Sequence, residues 1–197
     1  ATLSMVFGIE LLMTDGQTIS IRAPELNALV VGNLFGVLPG AIVIAGIVFV
    51  LMWIVFYRTP FGRHVAAIGG DLKSAVGAGV NVNRVTLGAF MLVGVCAALS
   101  GLMTAAQLQN VNSTIGVGAE LTAIAVVVVG GTSLSGGRGN LLGTPGAALL
   151  LSAIKSGLNI ANVSSLWEDL VFGGILIVAL IVDGLRRDTG RKGMLAV

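Results

Sequence analysis

Long uncharged apolar runs separated by short polar stretches set the plan of this chain. Gly36 to Tyr57 carries no charge, and neither does Val85 to Gln107. Each meets the roughly 20 residues a helix needs to cross about 30 Å of hydrocarbon. Both are therefore predicted to be transmembrane helices. Leu141 to Ile160 has the length but contains Lys155, and Leu166 to Val182 spans if Glu168 and Asp169 stay at the interface. Ala1 to Met13 is apolar but short. With no initiator Met and no basic run ahead of it, it reads as the end of an earlier helix, and the chain as part of a longer one.

One segment breaks this plan. Leu121 to Val129 supplies nine apolar residues before the sequence turns to GGTSLSGGRGN. Nine helical residues reach about 14 Å, half the hydrocarbon core. The backbone groups of Gly130 to Gly137 cannot face lipid, so they must face protein or water. Two readings stay open. The break lines a solute path, as broken helices do in transporters, or it is a tight loop with a packing role. On the first reading the candidate pathway residues are Gly130, Gly131, Thr132, Ser133, Ser135, Gly136 and Gly137.

Composition narrows the class. Of 197 residues, 55% are hydrophobic and 10% charged, 29 are glycine, and the net charge is +2. That balance excludes a disordered charged tail, a nucleic-acid-binding domain and most soluble enzymes. A single Cys96 leaves no intrachain disulfide, and a single His64 leaves no zinc site of usual composition. No cofactor is expected. The predicted fold class is all-α, a polytopic transmembrane helical bundle with one interrupted membrane segment. Gly32, Gly36 and Gly40, Ala97 and Gly101, and Gly139 and Gly143 stand four apart, a spacing that lets membrane helices approach closely. That packing serves one subunit or a dimer face.

Basic residues orient the bundle. Residues 58–84 hold Arg58, Arg63, Lys73 and Arg84 against one acid, Asp71, and the tail 184–197 holds Arg186, Arg187, Arg191 and Lys192. The positive-inside rule puts both in the cytoplasm and loops 14–33 and 108–118 outside. Trp53, Phe56 and Tyr57 then form an aromatic anchor just above Arg58. Trp167 anchors the outer end of the last helix. Between loop 108–118 and the tail the number of crossings must be odd. The short segment at Glu120 to Ser135 must therefore cross, leaving Arg138 inside and Lys155 near the outer end, where it can snorkel. Residues 1–197 form one transmembrane domain in contact with membrane lipid.

Enzyme motifs fail on inspection. Gly131 to Gly136 begins like a phosphate loop, but Gly137-Arg138 follows where Lys-Ser/Thr is needed. Gly77-x-Gly79 and Gly116-x-Gly118 lack the third glycine of a dinucleotide fingerprint. Glu10, Glu120, Glu168, Asp169 and Asp183 fall near helix ends, so no ionisable group marks the midplane as in proton-coupled carriers. An uncharged solute suits such a core better than a charged one. Gln107, Gln109, Asn112 and Asn159 are further polar candidates near helix ends, with packing or interfacial solvation as the simpler reading.

The inside loop, 58–84, reads RTPFGRHVAAIGGDLKSAVGAGVNVNR. Pro60, Gly62, Gly69 and Gly70 are predicted to break structure there. Asp71 is placed to cap a short helix from Leu72 to Val76, ended by Gly77 or Gly79. Leu72, Ala75, Val76 and Gly79 fall on one face at helical spacing. Such a stub docks in a partner's groove or lies on its own subunit or the headgroups.

Several stretches resemble the permease subunits of bacterial ABC importers, in the branch that carries ribose, xylose and other simple sugars. They are TPFGRHVAAIGGDLKSAVGAGVNVNRVT, AALSGLMTAAQL, GAELTAIAVVVVGGTSLSGGRGNLLGT and SGLNIANVSSLWEDLVFGGILIVALIVD, in the family's order and within residues 57–183. The resemblance implies that Gly70 to Asn81 is the coupling helix, with Gly70, Asp71, Leu72, Ala75, Val76, Gly77, Gly79 and Asn81 against a separate ABC ATPase subunit. It also implies a permease homodimer or heterodimer, a periplasmic or extracellular sugar-binding protein and a bacterial inner membrane. The chain itself would carry no catalytic residue. Alternatives are the same architecture carrying branched-chain amino acids or nucleosides, an ion-driven secondary carrier, and a structural subunit without a pathway.

Overall fold

The computed structural model describes residues 2–21, 23–34, 38–113, 115–134, 136–137, 139–161, 163, 167, 170–181 and 184. Ser135, Arg138, Glu168, Asp169, Asp183 and residues 185–197, on which several expectations fall, lie outside them. The chain runs α1 (Thr2–Thr14), β1 (Ile19–Ser20), α2 (Pro24–Val30), β2 (Asn33–Leu34), β3 (Leu38–Pro39), α3 (Gly40–Arg58), α4 (Pro60–Gly70), α5 (Leu72–Gly77), α6 (Val82–Leu108), β4 (Asn110–Val111), α7 (Ala119–Val129) and α8 (Gly143–Ile160). Leu170–Ile181 adds a shorter apolar helix.

α3 and α6, of 19 and 27 residues, are long and apolar enough to cross a membrane, and only 6% of each apolar stretch is buried inside the chain. Side chains such as Phe90 and Met91 are left on the outside. In water that surface would be an aggregation hazard; in lipid it is solvated. α8 has the length of a span but does not pass the same test among the described residues. Gly, Thr, Pro, Ser, Lys155 and Asn159 dilute its apolar content.

The chain divides into two compact units, residues 1–62 with 81–117 and residues 63–80 with 118–197. In the first, β1 and β4 pair antiparallel, Ile19 opposite Val111 and Ser20 opposite Asn110. The pairing ties loop 14–33 to loop 108–118, which the charge pattern had put on one side. β2 and β3 close a hairpin, and Gly40 N–H donates to the Gly32 carbonyl at 3.0 Å. This hairpin moves the start of α3 from Gly36 to Gly40. α2 was not expected in loop 14–33. Pro24 begins it without a wasted amide, and Glu25 faces the positive end of its dipole. The Asn27 amide Nδ2 donates to the Ala106 carbonyl of α6 at 2.9 Å. Asn27→Leu removes this bond and should cost about 1 kcal/mol. Thermal unfolding of the detergent-solubilised protein should report it as a fall of a few degrees.

The α3–α4 corner corrects the sequence reading. Pro60 and Gly62 were expected to break structure, yet an 11-residue helix runs from Pro60 to Gly70. Proline at a helix start lacks only an amide the helix leaves unbonded, and it forces the residue before it to be extended. Thr59 is extended accordingly, at φ −108° and ψ 158°. Interior glycines cost about 1 kcal/mol each against alanine, which packing can outweigh. Gly62 is buried, and a Cβ there would overlap the Phe56 carbonyl oxygen. The Phe61 ring edge fills the space beside Gly88, 2.9 Å from where a Cβ would lie. Before the corner the Trp53 and Tyr57 rings lie 5.9 Å apart at a tilt of 40°, and the Arg58 guanidinium sits 5.9 Å from the Trp53 ring centre.

In the second unit α7 and α8 pack together. Ala125 and Val128 of α7 and Ala147 and Leu151 of α8 are buried, Leu151 at 2% exposure. Gly130 and Gly143 form the closest approach. A Cβ on Gly130 would lie 2.9 Å from Thr144 Cα, and one on Gly143 would overlap the Gly130 carbonyl oxygen.

Candidate functional site

The short helix α5 forms where the sequence expects it. Asp71 is extended, and its carboxylate accepts from the Lys73 amide at 3.1 Å and from the Ser74 hydroxyl. Gly77 is the last helical residue. The Gly79 amide then donates to the Val76 carbonyl at 2.9 Å and the Val80 amide to the Ala75 carbonyl at 3.1 Å. That pair of bonds is a Schellman stop, which needs a left-handed residue. Gly79 supplies it at φ +83°.

The Ser74 hydroxyl, then the Lys73 amide, hold the Asp71 carboxyl below its ordinary value of 3.8. A depressed carboxylate pKa means a cap present above the ordinary value and lost as pH falls through the lowered one. α5 should keep its cap across the neutral range. Carbon-detected titration of Asp71 should give a midpoint below 3.8, and Ser74→Ala should move it upward.

The four residues expected on one face of α5 do not share one environment. Leu72 and Val76 are 52% and 56% exposed, whereas Ala75 is 4% exposed and packs inside the chain. Gly70, Asp71, Gly77 and Gly79 are exposed. Asn81 is also exposed, and its side chain accepts from the Arg84 amide at 3.2 Å, capping α6. This second cap moves the start of α6 from Val85 to Val82.

Much of the glycine segment is explained by local geometry. The Gly131 amide donates to the Val128 carbonyl at 2.9 Å and the Thr132 amide to the Val127 carbonyl at 3.1 Å. α7 therefore ends in a second Schellman stop, with Gly131 at φ +90°. Gly130 is buried at the α7–α8 approach. The Gly136 amide donates to the Ser133 carbonyl at 3.2 Å. Thr132 and Ser133 are half-buried, and Gly131, Gly136 and Gly137 are exposed. Ser135 lies outside the described residues.

Asn140 was missed in the sequence. Its side-chain carbonyl accepts from the Gly143 amide at 3.2 Å, and its own amide donates to Thr132 Oγ1 at 3.3 Å. It thus ties the end of α7 to the start of α8. An asparagine three residues before the first helical glycine was the available signal. The residues just before α5 and the glycine segment also meet. A Cβ on Gly137 would lie 3.0 Å from Gly70 Cα. Among the described residues no three of His, Cys, Asp and Glu gather as metal ligands.

Comparison with known proteins settles the family. Residues 2–180 match the family described as branched-chain amino acid transport system / permease component. The chain belongs to this family. Relatives agree with it. The ribose import permease protein of Bacillus subtilis (strain 168) is 36% identical over 184 residues, 93% of this chain and 57% of the relative. A probable ABC transporter permease protein of Escherichia coli (strain K12) is 37% identical over 189 residues, 96% of this chain and 57% of the relative. The xylose transport system permease protein of Haemophilus influenzae (strain ATCC 51907 / DSM 11121 / KW20 / Rd) is 35% identical over 158 residues, 80% of this chain and 42% of the relative. The chain thus spans less than two thirds of the length of these relatives. No solved structure matches it. Membership in this family of helical membrane permeases accounts for the apolar outer faces of α3 and α6.

Proposed function

We propose that this chain is the membrane-spanning part of an ATP-driven importer that carries a monosaccharide of the ribose or xylose kind across a bacterial inner membrane. The observation that carries the reading is the 36% identity to a ribose import permease over 93% of this chain. The match runs through both the α5 loop and the glycine segment. The relative named an ABC transporter permease supports ATP as the energy source. In this reading a separate ABC ATPase subunit hydrolyses ATP, a sugar-binding protein delivers solute from outside, and two permease chains form the passage.

α5 is the coupling helix of this reading. It is a capped stub between α4 and α6, and Leu72 and Val76 give it an exposed apolar side. Gly70, Asp71, Gly77 and Gly79 line its exposed ends, Ala75 seats it in its own chain, and Asn81 fixes the entry to α6. Residues 58–84 and the tail 184–197 are then cytoplasmic. ATP acts only through its different affinity for the outward-open and inward-open states. The hydroxyls of Thr132, Ser133 and Ser135 and the exposed backbone at Gly131, Gly136 and Gly137 are the pathway candidates for a neutral polyol. Gly130 supports them from the packed side.

Uptake of labelled ribose and xylose into proteoliposomes holding the complete importer tests the solute class. Saturable uptake competed by unlabelled pentose and untouched by leucine or nucleosides is expected. Competition by leucine or a nucleoside instead would move the chain to another solute branch.

A further inference from the structure

We infer that the backbone contact between Gly69–Gly70 and Gly136–Gly137 is the joint that carries a displacement of α5 into the α7–α8 pair. The inference rests on the coupling role proposed above and adds the residues that would transmit it. All four glycines lie in the same compact unit. A Cβ on Gly69 would lie 2.7 Å from the Gly137 nitrogen and 3.4 Å from Gly136 Cα. From the other side, a Cβ on Gly136 would lie 2.6 Å from the Gly69 carbonyl oxygen and 3.0 Å from Gly69 Cα. Main chain therefore rests on main chain, with no side chain between. Gly136 and Gly137 have φ of +85° and +75°, so the turn itself also favours glycine.

Such a contact has a mechanical consequence. Side chains absorb small displacements by changing rotamer, and close-packed backbone has no such freedom. Gly69 and Gly70 end α4, directly before Asp71, the cap of α5. Gly136 and Gly137 belong to the connection between α7 and α8. From there Asn140 bridges Thr132 and Gly143, and Gly143 rests on Gly130. A push on α5 thus meets the connection between α7 and α8, which Asn140 ties to the place where the two helices cross.

The test uses the complete importer with its ATPase and binding-protein partners. Gly69→Ala puts a methyl into the joint, and Gly146→Ala on α8, where a Cβ meets nothing within 4 Å, is the control. ATP hydrolysis by the Gly69→Ala complex should stay within about twofold of the parent, while ribose imported per ATP falls about tenfold, within the span of allosteric coupling energies. Gly146→Ala should match the parent in both. A second measurement leaves the glycines untouched. Leu134 is 53% exposed beside the joint. In a Cys96→Ala background, aqueous thiol labelling of Leu134→Cys should change about threefold when the ATPase is trapped with ATP, the size of effect expected along a coupled network. Normal import per ATP in an assembled Gly69→Ala complex would overturn the joint. Labelling of Leu134→Cys that ignores nucleotide would do the same, and it decides alone should Gly69→Ala not assemble. Either result leaves the importer reading intact if the parent complex takes up ribose with ATP. A parent complex without ATP-driven uptake overturns that reading and the joint together.

Discussion

Leu72→Asp combined with Val76→Asp should abolish ATP-driven uptake while the chain still inserts in the membrane. Both side chains are more than half exposed on α5, so the fold does not depend on them. Burial of two such side chains against a partner, together with the desolvation of the carboxylates replacing them, is worth roughly 3 kcal/mol or more. That corresponds to a loss of about 100-fold in affinity for the ATPase subunit. Co-purification of the subunit with the double variant, against the parent at equal permease level, measures it. Ala75 is the wrong residue for this test. From the sequence it shares a face with Leu72 and Val76, but at 4% exposure a bulky charge there would unseat α5 from its own chain. Lost uptake in such a variant would not separate misfolding from uncoupling.

Gly143→Val should be the most destabilising single change in the α7–α8 pair. Its Cβ would overlap the Gly130 carbonyl oxygen and lie 3.1 Å from the Asn140 side-chain nitrogen. Backbone cannot step aside as a side chain can, so the helices must separate. Separation opens the layer of Ala125, Val128, Ala147 and Leu151. Overpacking of this kind costs about 1–3 kcal/mol, and a backbone clash belongs at the upper end. Gly146→Val, on the same helix and facing open space, should change little. Thermal unfolding in detergent and resistance to limited proteolysis compare the two directly. Equal stability of the two variants would show that α7 and α8 do not cross at Gly130 and Gly143.

The legible parts of this protein are those set by local physics. α3 and α6 stand out because no charge interrupts them, and α7 ends where its apolar run gives way to Gly130-Gly131. Asp71 and Gly79 mark the ends of α5 because an N-cap and a left-handed stop each ask for a particular residue type. α4 was hidden because Pro60 and the glycines suggest a break, although proline is at home in the first turn. α2 was hidden because seven residues give too little periodicity to separate helix from loop. The meeting of Gly69 with Gly136 and of Gly70 with Gly137 depends on partners far along the chain. A single sequence holds their trace only as two Gly-Gly pairs. For the glycine segment the two readings overlap. Gly130 and Gly131 are required for packing and chain reversal whatever passes nearby, so glycine content there is weak support for a pathway. Thr132 and Ser133 keep that part of the reading.

The central proposal is that ATP hydrolysis drives solute through this chain. Proteoliposomes holding the complete importer, its binding protein and internal or external ATP, with an intact or a hydrolysis-dead ATPase subunit, measure that most directly. Accumulation of labelled ribose only with the intact subunit, and only with ATP on the side where that subunit lies, is the predicted result. Accumulation that continues with the hydrolysis-dead subunit and collapses with an ion gradient would contradict it.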